Sequence, residues 1–145
     1  MNDQAPLWRP SQADIDGSAM TAFAREASRI AGRHLGDYDA LHAWSIEDRE
    51  AFWSLVWDFC GVVGERGERV LVDGDRMPGA RFFPDAKLNF AENLLARSGS
   101  GDALVFRGED KVARRMNWDE LRGLVSRLQQ WMRDQGVKPG DRVAA

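Results

Sequence analysis

The sequence predicts a mixed α/β fold in which a helical N-terminal part runs into the opening hairpin, helix and strand of a larger α/β layer. Three observations predict it. Apolar residues recur at spacings of three and four within residues 17–36, and a helix apolar on most of its circumference follows over 46–60. Residues 103–116 alternate about a short turn, as a hairpin does. A second helical stripe follows from Leu121 and leads through Pro139–Gly140 into a last apolar run at Arg142. With 43% apolar and 30% charged residues among 145, the chain is globular in composition.

Each element has its local reason. The first ten residues carry Pro6, Trp8 and Pro10 without periodicity, so they read as an extended arm pinned by Trp8. Ser11 is placed to cap a short turn. In residues 17–36, Met20, Phe23, Ala24, Ala27, Ile30 and Ala31 form one apolar face, and Gly32 or Gly36 ends the helix. A second helix is expected over 46–60, with Ser45 as N-cap, Asp48 in the capping-box position, and Glu47 and Glu50 in the first turns. Its polar stripe is Glu50, Ser54 and Asp58. Phe52, Trp53, Leu55, Val56, Trp57, Phe59 and Cys60 take most of the remaining circumference, which requires cover on more than one side.

Farther on, Arg69–Val72 is a candidate strand and residues 73–87 a loop. Asn89 caps a short helix whose apolar side is Phe90, Leu94 and Leu95, with Glu92 in the capping-box position. RSGSGD at 97–102 reads as a flexible boundary. The hairpin is placed at Ala103–Arg107, with a turn at Gly108–Lys111 and a return strand to Met116. Asn117 and Glu120 make a capping box for a helix striped by Leu121, Leu124, Val125, Leu128, Trp131 and Met132, ended by Gly136. A strand beginning at Arg142 should feed another unit, so the chain reads as a fragment or a truncated copy of a larger α/β protein.

Composition excludes several functions. Twenty Lys and Arg against 23 Asp and Glu leave a net charge of −3, so no nucleic-acid partner is expected from bulk basic charge. One cysteine forbids an intramolecular disulfide or a cysteine metal cluster. Two histidines leave little for a histidine metal site. No apolar run nears the roughly 18 residues of a membrane span, and the N-terminus lacks a signal-peptide pattern. No membrane partner is expected, and a cytoplasmic chain is.

The candidate chemistry dissolves on inspection. RSGSGD ends in Asp102, whose charge repels phosphate, and no lysine follows, so a linker is the better reading. Cys60 sits at a helix's C-terminal end, where no thiolate is stabilised, and reads as a buried structural thiol. His34 and His42 read as capping or packing residues. Asp73 and Asp75 are spaced as calcium ligands, but Arg76, Met77 and Pro78 follow and no closing glutamate exists, so a turn accounts for them better. Glu109 and Asp110 offset Arg107, Arg114 and Arg115 on the hairpin. No catalytic, cofactor-binding or metal-ligating residue is assigned.

Longer stretches carry a resemblance. PLWRPS, then YDALHAWSIEDREAFWSLVWDFCGVVGERGERVL, then DRMPGARFFPDAKLNFAENLL, then ALVFRGED, then NWDELRGLVSRLQQWMRDQGVKPGDRVAA, resemble in that order the N-terminal part of the acetoacetyl-CoA synthetases. These are AMP-forming acyl-CoA ligases of the adenylate-forming superfamily. The Trp53/Trp57 helix and Lys87-Leu88-Asn89-Phe90 are similar to the wider acetyl-CoA synthetase group. The resemblance implies an arm and helix over 1–36, the acetyl-CoA-synthetase-type extension over 37–95, and over 96–145 the opening hairpin, helix and strand of the large adenylating domain. It implies ATP, Mg²⁺ and CoA as cofactors of the full-length enzyme, with none bound to this fragment. Acetoacetate and ATP would form an acyl-adenylate and pyrophosphate, and the CoA thiol would displace AMP. The phosphate loop and catalytic lysine of that family lie beyond Ala145. The fragment alone would be inactive, with the remainder of the ligase as its partner and a tendency to self-associate. A stand-alone interaction module descended from such a ligase, or a ligase for another short acid, are the alternatives.

Overall fold

A computed structural model describes residues 7–144, which divide between Leu88 and Asn89 into two compact units. Residues 1–6, including Pro6, and Ala145 lie outside the described residues.

The first unit begins with helices α1 (Gln12–Asp16), α2 (Ala19–Ala31), α3 (Tyr38–Glu47) and α4 (Arg49–Phe59). Ser11 caps α1 in a reciprocal capping box with Asp14, and the hydrogen bond from Ser11 lowers the Asp14 carboxyl below its ordinary value. Gly32, in the left-handed conformation at φ 64°, ends α2 as expected. Trp8 is 75% exposed, so it does not pin the arm. Two further expectations for this stretch fail. Residues 38–47 are already helical: Asp37 accepts from the Ala40 amide, and Tyr38 stacks on His42 one turn later at 5.6 Å. Ser45 therefore lies inside α3, donating to the His42 carbonyl at 2.7 Å, and the N-cap of α4 is Asp48, which accepts from the Ala51 amide. The chain turns at Asp48 between two helices rather than entering one from a loop.

The core of this unit is Ala27, Leu35, Trp44 and Leu55, with Phe23, Ala31, Ala40, Leu41, Ala51 and Phe52 packed against it. The α2 face supplies Phe23, Ala27 and Ala31 as its periodicity predicts, whereas Met20 and Ile30 remain exposed. Leu35, 1% exposed, is folded back under α2 by a hydrogen bond from its amide to the Ser28 hydroxyl at 2.9 Å. Phe52 sits among Phe23, Trp44 and Trp53 at centroid distances of 5.8, 5.9 and 5.4 Å, all edge-to-face.

After α4 the chain makes a closed excursion. Glu65 and Lys87 exchange two backbone hydrogen bonds of 2.9 Å at its base. Arg69 grips Asp85, its Nε donating at 2.8 Å and its Nη2 to the other oxygen. Strands β1 (Leu71–Val72) and β2 (Arg81–Phe82) pair antiparallel above them, with Leu71 opposite Phe82. The strand expected over 69–72 is thus shorter, and the expected loop contains its partner. Phe83 has φ 46°, a left-handed conformation that costs an aromatic residue about 1–2 kcal/mol. In a regular strand residues 82 and 83 would face opposite ways. Here Phe82 packs on Trp53 at 5.2 Å and Phe83 on Trp57 at 4.9 Å. Helix α4 is therefore covered on two sides, by α2 and α3 and by the excursion, as its apolar circumference demands.

The second unit contains α5 (Phe90–Leu94), the hairpin β3 (Asp102–Gly108) and β4 (Val112–Asn117), and α6 (Trp118–Asp134). Asn89 caps α5, accepting from the amides of Ala91 and Glu92. The hairpin pairs Leu104 with Met116 and Phe106 with Arg114, and a bulge interrupts the ladder between Asp102 and Leu104. Asn117 and Glu120 form the predicted capping box of α6. The 97–102 run is tied to this helix: Gly99 donates to the Asp119 carboxylate at 2.8 Å, and the Trp118 and Asp119 amides donate to Gly101 and Gly99. The strand expected from Arg142 does not form among the described residues, which have no ladder partner there.

Two outcomes test this packing. Trp44→Ala should cost about 3–5 kcal/mol, read as a lower urea midpoint by far-ultraviolet circular dichroism, while Trp8→Ala leaves the midpoint in place. The Arg69 hydrogen bond holds the Asp85 carboxyl below its ordinary 3.8. A carboxyl lowered on folding stabilises above its unfolded value and loses that contribution as pH falls through the folded one. The midpoint difference between wild type and Asp85→Asn should accordingly be constant above about pH 5 and shrink below 3.8. A gap that widens on acidification would refute the assignment.

Candidate functional site

The residues with reactive side chains do not converge. Cys60 is exposed and ends α4 as its C-cap, which corrects the expectation of a buried thiol. A C-cap faces helix carbonyls rather than amides, so nothing there stabilises a thiolate. His42 stacks on Tyr38, and the His34 ring lies where a side chain on Gly36 would stand. Both histidines are exposed.

The aspartates of the excursion are turned to arginines. Asp75 accepts from Arg49 at 2.7 Å, and the same guanidinium donates to the Gly74 carbonyl at 2.7 Å. Asp73 lies 3.6 Å from Arg81 and 3.9 Å from Arg76, with a left-handed φ of 56°. Asp73 and Asp75 therefore shape a turn and do not converge on a cation. On the hairpin Asp102 pairs with Arg115. Among the described residues no group of three or more histidine, cysteine, aspartate or glutamate side chains is placed to hold a metal ion.

What the second unit presents instead is apolar surface. Leu104, Phe106, Val112 and Met116 line one hairpin face with Arg114, forming an open groove of about 410 Å³. Leu104, Phe106 and Val112 are 52%, 59% and 54% exposed. The predicted stripe of α6 is present but uncovered: Leu124, Val125, Leu128 and Trp131 are all exposed. No residue of the described part of this unit is buried. An exposed apolar face of this kind is a candidate interface. The sequence displayed the stripe but not the absence of anything to cover it.

Residues 38–94 match the family described as acetyl-coenzyme A synthetase N-terminus. All of the chain is 59% identical to 22% of an acetoacetyl-coenzyme A synthetase from Rhizobium meliloti (strain 1021). The chain is similar to the N-terminal region of the acetoacetyl-CoA synthetases. A malonamoyl-CoA synthetase from Penicillium aethiopicum is 36% identical over 95% of the chain and 20% of its own length. The structure superimposes on an acetoacetyl-CoA synthetase from Streptomyces lividans with a TM-score of 0.76 and 37% identity, over 97% of this chain and 22% of that one. The chain thus spans about a fifth of the length of the relatives it matches. In this the resemblance read from the sequence stands, as does the mixed fold of a helical part followed by a hairpin.

Because Phe106 is already exposed, Phe106→Ser should change the unfolding midpoint of the 145-residue chain by no more than about 0.5 kcal/mol equivalent. A loss on the scale of Trp44→Ala would mean that the hairpin face is covered within this chain.

Proposed function

We propose that the chain is the N-terminal region of an ATP-dependent acetoacetate–CoA ligase and that it packs on the remainder of that enzyme. The observation that carries the reading is whole-chain identity of 59% to about a fifth of an acetoacetyl-coenzyme A synthetase, joined to a second unit with no buried residue among those described. Residues 1–36 serve as arm and helix, 37–95 as the extension, and 96–145 as the opening of the AMP-binding domain. In the full-length protein acetoacetate and ATP yield acetoacetyl-adenylate and pyrophosphate, and CoA displaces AMP to give acetoacetyl-CoA.

The two stretches that the sequence offers for Mg²⁺ or phosphate are engaged within the chain. The acidic pair Asp73 and Asp75 is engaged by arginines, and the Gly/Ser run at 97–102 has its Gly99 amide committed to the Asp119 carboxylate. A phosphate loop needs such amides free. On this reading ATP, Mg²⁺ and CoA are held by the rest of the ligase, and the fragment by itself is inactive. The enzyme acts in the cytoplasm on a small acid, without nucleic-acid or membrane partners. Among the described residues no helix is long and apolar enough to cross a membrane.

A second reading, a ligase of the same group for another short acid, has one observation in its favour. The relative named for malonamoyl-CoA matches 95% of this chain, so the similarity of this region does not discriminate between acids. ATP–pyrophosphate exchange by the full-length protein distinguishes them. Exchange should depend on acetoacetate and be weak with acetate or propionate, and exchange with acetate alone would overturn the assignment. The 145-residue chain should show no exchange with any of the three. Left without its partner surface, it should self-associate through the hairpin face, so its weight-average mass in analytical ultracentrifugation should rise with concentration. A monomer across the series would count against that packing.

A further inference from the structure

We draw no further inference here: the strongest candidate, the apolar groove of about 410 Å³ on the β3–β4 hairpin face, already belongs to the packing surface assigned to the remainder of the ligase, and nothing in the structure shows which segment covers it.

Discussion

Ring contacts on two sides of α4 organise the first unit. At about 100° per residue, Phe52, Leu55 and Phe59 point one way and Trp53 and Trp57 about a third of a turn round. The first set meets Phe23 of α2 and Trp44 of α3, and the second meets Phe82 and Phe83. Edge-to-face and tilted pairs of this kind each add about 0.5–1.5 kcal/mol beyond their area burial. That scale is comparable with the cost of the left-handed Phe83, which lets consecutive phenylalanines reach tryptophans one helical turn apart. The polar stripe of Glu50, Ser54 and Asp58 completes the circumference. Asp58 lies 3.4 Å from Arg66, at the start of the excursion that returns to cover the helix.

How much of this was legible in the sequence depends on the range of the interaction. Capping residues act over three positions, so Asn89 and Asn117 mark their helices and Ser11 a cap, and the place of the hairpin follows from its turn. Helix α3 was missed although its marks were present: Asp37 at the cap, then Leu41 and Trp44 three apart. Ser45 and Asp48 offered a competing start, and only the fold shows that Ser45 satisfies a carbonyl of an existing helix. Strand β2 is invisible locally because two residues carry no period, and their extended state comes from pairing with β1. Leu35 is similar. Its burial needs the Ser28 hydroxyl, seven residues back and on the preceding helix.

The functional site divides the same way. The sequence argues against each candidate through its neighbours: Asp102 after the glycine run, Arg76 after the paired aspartates, helix carbonyls beside Cys60. The exposure of Cys60 was not readable, since periodicity assigns it to an apolar face without saying whether that face continues past the helix end. Similarly, the α6 stripe specifies a face to be covered and leaves the cover unspecified. Among the described residues, the second unit contains no element able to supply it.

Charge plays a different part from the aromatic contacts. Arg49, Arg69 and Arg115 each meet an aspartate far in sequence, and Arg81 meets a nearer one, Asp73, yet every one of these pairs is at least partly exposed. Such pairs contribute little net stability, with a median of about 0–1 kcal/mol. Their effect is geometric. Arg49, in the first turn of α4, holds both the Gly74 carbonyl and Asp75, and Arg69 closes on Asp85 near the base of the excursion. These contacts restrict where residues 73–85 can lie. The ring contacts of Phe82 and Phe83 then supply the apolar burial once the chain is there. The arginine-to-aspartate pairing that occupies the acidic residues of this loop is thus the same feature that keeps them from acting as a cation site.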